Sequence, residues 1–96
     1  MTQPRVLTVL SWNVLADKYA LPERYPEIEE RYLARKPRSR HTEIIVARSH
    51  ADVICLQEVD VKLFEMLERT LGADGYQSDF APMTPNMVGV ATFIAP

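Results

Sequence analysis

Two short apolar runs of this chain end on side chains capable of chemistry: VLTVLSW stops at Asn13, and DVICLQEV reaches Gln57 and Glu58 just before its last valine. Alternation and β-branched content read both runs as strands, the first over residues 5–12 and buried on both faces. In open α/β sheets ligands bind outside the carboxyl ends of parallel strands, which is where these polar groups would stand. Side chains alternate along a strand, so Asn13 shares a face with Leu7, Val9 and Ser11, and Glu58 shares one with Ile54 and Leu56. If those faces coincide, amide and carboxylate converge. A carboxylate is a hard oxygen ligand that suits Mg²⁺, an ion that uses one or two protein carboxylates, keeps several waters and takes substrate phosphate as well. One Glu beside one Asn could begin such a site. A polar pair at a strand end is also simply where a chain leaves its core, and on spacing alone that plainer account is the commoner one.

The elements that must position these groups follow from periodicity. RHTEIIVARSHA has the pattern of an amphipathic helix with Ile44 and Ile45 inward and Glu43 and Arg48 outward. Strand, helix and strand in that order form a βαβ crossover, so the two strands should pair in parallel. Upstream, PEIEERYLARK reads as a short helix opened by a proline and ended by Pro37. Downstream, Asp60 is an N-cap for VKLFEMLERTLG, which sets Leu63, Phe64, Leu67 and Leu71 at helical spacing and stops at Gly72. Tyr76, Ser78 and Phe80 alternate as a third strand, PMTPNM is a loop, and VGVATFI is a fourth strand.

Composition sets bounds on what this assembly can be. With 96 residues, 47% apolar and 25% charged, the chain has the proportions of one globular domain and not of a disordered segment. Its single cysteine, Cys55, cannot form an internal disulfide, no Cys/His spacing of the zinc kind occurs, and its place in an apolar strand reads as a small buried side chain. No stretch approaches the ~20 apolar residues of a membrane span, and the first apolar run is too short for a secretory leader, so a cytoplasmic location is expected. Charge is uneven: residues 31–50 carry six Lys/Arg and one Asp/Glu, whereas residues 51–96 carry two against seven. Arg31, Arg35, Lys36, Arg38 and Arg40 could neutralise a nucleic-acid backbone, or form a solvated helix face, since only Tyr25 and Tyr32 offer rings nearby. His41 and His50 flank the helix as ordinary surface or cap residues.

SWNVLADKY followed by ADVICLQEVD resembles the start of the endonuclease/exonuclease/phosphatase family, and within it the deadenylase and nocturnin branch. That branch shares an Asn-Val-Leu-Ala run at the end of its first strand, a loop and basic helix, a strand ending Leu-Gln-Glu-Val, and a later Gly-containing strand like VGVATF. The likeness extends across residues 5–94, with one departure: the branch carries an acidic residue before that glycine, where this chain has Val88 before Gly89. The resemblance implies an α/β fold, the N-terminal part of a four-layer α/β-sandwich of two packed sheets flanked by helices, incomplete in this chain. Residues 1–96 would then be one partial domain. It also implies that Glu58 is the Mg²⁺-binding glutamate, that Asn13 lies beside the metal and the scissile phosphate, and that Gln57 supports them. Mn²⁺ could replace Mg²⁺. The implied activity is metal-dependent hydrolysis of phosphodiesters, with RNA as substrate in an exonuclease or deadenylase-like reaction and no membrane partner. The family also hydrolyses phospholipid and nucleotide phosphates, and a non-catalytic α/β binding remnant is the contrasting possibility. Neither the family's Asp-x-Asn pair nor its Asp-His pair occurs in these residues, so the chain is expected to be inactive alone and to need a downstream segment or a separate chain.

Overall fold

Four alternating segments pair into one sheet in the computed structural model, which describes residues 6–16, 20–29, 31 and 34–96. Strands β1 (Val9–Asn13), β2 (Val53–Val59), β3 (Gln77–Pro82) and β4 (Gly89–Ile94) lie in the order β1-β2-β4-β3. Helix α1 (Arg35–Ser49) connects β1 to β2, and α2 (Val61–Ala73) connects β2 to β3. As the strand-helix-strand order requires, β1 and β2 are parallel; β4 runs antiparallel to both of its neighbours.

The register stacks side chains in rows across the sheet. Leu10, Ile54 and Phe93 form one row, and Trp12, Leu56, Ala91 and Phe80 the next. Both rows lie under Val46 of α1 and Leu63, Leu67 and Leu71 of α2, so the two helices cover the same face. Ile54, Leu56, Leu67 and Phe93 are sealed from solvent, each a burial worth about 1.5–3 kcal/mol. Phe64 stacks on Phe80 and Phe93 at ring separations of 4.9 and 5.9 Å, tying α2 to the antiparallel half of the sheet. Asp60 caps α2 as expected, its Oδ1 accepting the Leu63 amide at 2.9 Å, and both of its oxygens also accept from Arg35 Nη1. One carboxylate thus holds the starts of both helices at the same sheet edge.

Several expectations need correction. β1 is not buried on both faces: Leu10 and Trp12 are half-buried while Val9, Ser11 and Asn13 are exposed, because β1 is an edge strand and helices cover only one side. Pro37 does not end a helix but sits in the first turn of α1, where its missing N–H would have had no helical acceptor. Of the helix expected over PEIEERYLARK, Pro26–Ile28 form a turn, Arg31 is helical, Arg35 and Lys36 begin α1, and Glu30, Tyr32 and Leu33 lie outside the described residues. The inward residues of α1 are Thr42 and Val46, with Ile44 and Ile45 exposed. Thr42 can be buried because its hydroxyl donates to the Arg38 carbonyl at 2.9 Å. Glu43 is half-buried and accepts from Thr70, whereas Arg48 is exposed as expected. Helix α2 runs past Gly72 to Ala73, and Gly75, at φ +90, takes the left-handed position that ends it. Cys55 is half-buried on the uncovered face of the sheet and is not part of the core. Among the described residues no helix is long and apolar enough to cross a membrane.

Candidate functional site

Regular alternation would have aimed Glu58 into the core beside Leu56. A β-bulge prevents it. Leu56 pairs with Ala91 and Val59 with Gly89, so Gln57 and Glu58 together oppose the single residue Val90. Glu58 absorbs the extra residue with a left-handed backbone, φ 55, and Val59 then takes the buried position. The expectation that Glu58 shares a face with Ile54 and Leu56 is therefore wrong. Asn13 pairs with Gln57 in the parallel register, and its Nδ2 donates to Glu58 Oε2 at 2.5 Å. Amide and carboxylate converge at the carboxyl end of the parallel pair, through the bulge and not through simple periodicity.

The Asn13 side chain is itself held. Its Oδ1 accepts from the Leu15 amide at 3.0 Å, an Asx-type turn that places Leu15 at φ 56. The Val14 amide donates to the Gln57 carbonyl at 3.0 Å, and Arg38 Nη2 donates to the Val14 carbonyl at 3.0 Å, so β2 and α1 both fix the chain where it leaves β1. Gln57 turns the other way. Its Nε2 reaches Ser11 Oγ and the Cys55 carbonyl, both at 3.2 Å, and supports Glu58 through backbone position only.

Two residues to which the sequence reading gave no role at the strand ends, Arg24 and Tyr25, join the site. Leu15, Arg24, Tyr25 and Glu58 line one cleft of about 400 Å³. Arg24 and Tyr25 are placed by a 3-10 turn at Pro22–Arg24, closed by the Arg24 amide on the Leu21 carbonyl and the Tyr25 amide on the Pro22 carbonyl. A cation and a ring between Pro22 and Pro26, in the loop that must leave the carboxyl edge of β1, were the available signal. Arg24 is exposed, and among the described residues it forms no ion pair, with Glu58 or any other acid.

The donor set bears on which metal could be held. Among the described residues no three His, Cys, Asp or Glu side chains gather into a closed cage. Glu58 offers one carboxylate oxygen beyond that occupied by Asn13, which suits an ion that keeps most of its waters, as Mg²⁺ does. The Asn13 amide spends Nδ2 on Glu58 and one side of Oδ1 on Leu15, leaving it a second Oδ1 lone pair toward a cation. His41 faces a separate pocket with Trp12, Pro37, Arg38 and Thr42, and His50 is the left-handed cap of α1 at the opposite edge of the sheet, so neither ring lines the cleft. Of the basic segment, Arg31 pairs with Glu29 at 2.6 Å, Arg35 with Asp60, and Arg38 with the Val14 carbonyl.

The sequence and the fold have relatives. The chain is 35% identical over 78 residues to the CCR4-Not complex 3'-5'-exoribonuclease subunit Ccr4 of Candida albicans (strain SC5314), a stretch of 80% of this chain and 10% of that protein. Two crystal structures of ANGEL2, a 2',3'-cyclic phosphatase, superpose with TM-scores of 0.76 for the complex with adenosine-2',3'-vanadate and 0.77 without it. Both are 22% identical and are matched over 93% of this chain and 27% of theirs. The chain thus spans about a tenth of the curated relative and about a quarter of these structural neighbours. A family model covers residues 10–96, from within β1 through Glu58 and Val90, the residue opposite the bulge, to the last residue, and on that match the chain belongs to the Endonuclease/Exonuclease/phosphatase family.

Proposed function

We infer that this chain carries the metal-holding part of a Mg²⁺-dependent phosphodiester hydrolase acting on RNA, with Mn²⁺ able to replace Mg²⁺. The observation that carries this reading is the bulge that turns Glu58 out of the core onto Asn13, in a cleft that also holds Arg24. Glu58 would hold the ion through its carboxylate, one oxygen of which already accepts from Asn13. Asn13 fixes the carboxylate's orientation and presents its amide to a phosphate or to an attacking water. When bound, the ion polarises a phosphoryl oxygen and offsets charge that develops there. Arg24, which lines the same cleft, adds a second positive group suited to a non-bridging phosphate oxygen. The family's Asp-x-Asn pair, which helps position the phosphate and the attacking water, and its Asp-His pair, which handles protons, would come from another part of the protein or from a partner chain. RNA is preferred as substrate because the curated relative is an exoribonuclease subunit; a terminal nucleotide phosphate is the second reading, favoured by the fold shared with a 2',3'-cyclic phosphatase.

Mn²⁺ titration followed by paramagnetic broadening of backbone amides tests the assignment without requiring turnover. Broadening should centre on Asn13, Leu15 and Glu58. Asn13→Ala, which removes the group that orients the ligand, should weaken binding by about 10-fold or more, and Glu58→Gln should weaken it further. Undiminished Mn²⁺ affinity in Glu58→Gln would falsify the metal assignment.

A further inference from the structure

The basic segment noted in the sequence is not absorbed by the strand-end site. Two of its exposed residues, Lys36 and Arg40, form the α1 wall of a groove between the helices, of about 330 Å³, whose α2 wall carries Lys62 and Arg69. Lys36 and Arg40 are one turn apart and Lys62 and Arg69 two turns apart, so the pairs run about 6 and 10 Å along their helices. All four are exposed, and among the described residues none is in an ion pair. Among the described residues one acid lines the groove, Glu43, which accepts from the Thr70 hydroxyl at 2.6 Å. Leu63 and Met66 give the groove an apolar floor.

We propose that this groove is a second binding surface for the phosphate backbone of a single RNA strand, separate from the cleft at Glu58. Four cations that form no ion pair among the described residues, beside one carboxylate already engaged by Thr70, select a polyanion. The choice of RNA over an acidic peptide rests on the reading under Proposed function and on continuity. Helix α1 begins after β1 and α2 one residue after β2, with Asp60 and Arg35 joining the two helix starts, so the groove opens at the edge that carries Asn13 and Glu58. A strand whose end lies in the cleft can therefore continue between the helices. Among the described residues no ring lines the groove, so the contacts these residues offer are to phosphate and independent of base sequence.

The test is binding of a fluorescein-labelled 12-mer oligouridylate by anisotropy, in EDTA to silence the metal site, at several KCl concentrations. Four phosphate contacts on a single strand give a log–log salt slope of about −2.8, so affinity should fall about 50-fold from about 50 to 200 mM salt. The double variants Lys36→Gln/Arg40→Gln and Lys62→Gln/Arg69→Gln should each reduce the slope to about −1.4, an affinity loss of about 7-fold over the same range. Arg48→Gln, an exposed cation near the end of α1 and outside the groove, should leave the slope unchanged. Equal slopes in wild type and both double variants, an equal effect of Arg48→Gln, or equally tight binding of a polyglutamate peptide would overturn the proposal. Groove binding that persists while Glu58→Gln leaves Mn²⁺ affinity intact would remove the metal reading and leave this one standing; the reverse pattern would do the opposite.

Discussion

Replacing Glu58 by glycine and by alanine should reverse the ordinary stability order of those residues in a strand. Inside a strand, glycine is normally about 0.5–1 kcal/mol worse than alanine, because the unfolded chain has more freedom to lose. At φ 55, however, a Cβ crowds the carbonyl that follows, a cost of about 1–2 kcal/mol that alanine keeps and glycine sheds. Subtracting the entropic term from the steric one leaves Glu58→Gly more stable than Glu58→Ala by about 0.5–1 kcal/mol. Both variants lose the carboxylate and its bond from Asn13, so that loss cancels in the comparison. Urea unfolding at constant m-value measures the difference, and a thermal scan should show it as a few degrees in Tm, at about 4–8 °C per kcal/mol for a domain of this size. Neither variant should bind Mn²⁺ at the cleft, so the more stable of the two would still lack the proposed function. If alanine is as stable as glycine, Glu58 is not left-handed, the bulge is absent, and the explanation for its meeting with Asn13 fails.

The other glycines give opposite signs for the same substitution. A Cβ on Gly89 would lie 2.0 Å from the Ala81 carbonyl oxygen, so Gly89→Ala should force β3 from β4 and lower stability by about 3 kcal/mol or more in urea unfolding. Gly72 is helical with open space around its missing Cβ, and Gly72→Ala should stabilise by about 0.4–1 kcal/mol in the same assay. Asp60→Ala should cost about 1–2 kcal/mol through the lost cap, whereas Asp60→Asn, which keeps an accepting oxygen for Leu63, should recover most of it; equal losses would show that the Arg35 pair dominates. Arg24→Gln should leave Mn²⁺ affinity unchanged and weaken binding of adenosine 5'-monophosphate in the presence of the metal, as read by calorimetry.

What was legible in the sequence was whatever repeats. Leu63, Leu67 and Leu71 recur every fourth residue, Asp60 precedes them with a capping oxygen, and the strands around Ile54 and Phe93 alternate, so α2, β2 and β4 could be read directly. The parallel pairing followed from order alone. The errors fall where one residue departs from a period or where sheet position decides burial. Nothing in VLSWN says that its outer edge and one face lack a covering layer, so the strand looked interior. Ile44 and Ile45 are apolar enough to be inward, yet the face of α1 is set by Val46 and by a threonine that satisfies its own hydroxyl on the preceding turn. Period two places Glu58 with Leu56, and only the extra residue opposite Val90 brings it to Asn13; glutamate at a left-handed position has no sequence signature. Arg24 and Tyr25 were given no place in the site for a related reason: the two prolines mark their loop, but where a loop packs depends on tertiary contacts that no local pattern encodes.

The distribution of backbone strain supports one further prediction. Among the described residues four non-glycines have positive φ: Leu15, His50, Glu58 and Met87. His50 closes α1, and Met87, whose amide bonds the Thr84 carbonyl, closes the loop before β4, so both are turn residues. Leu15 and Glu58 instead line the same cleft, and Asn13 bonds both, through Oδ1 to one and Nδ2 to the other. Such conformations cost about 1–3 kcal/mol each and persist only where neighbours over-determine them, which assigns Asn13 two separable tasks. Asn13→Ala abolishes both, and amide exchange at Leu15 should quicken along with the loss of Mn²⁺ affinity. Asn13→Asp keeps an acceptor for the Leu15 amide but sets a like charge against Glu58, so Leu15 should remain protected while the metal-free carboxylates repel and added Mn²⁺ draws them together. Unchanged Leu15 exchange in Asn13→Ala would mean that the left-handed turn is fixed by Arg38 on the Val14 carbonyl and not by the asparagine.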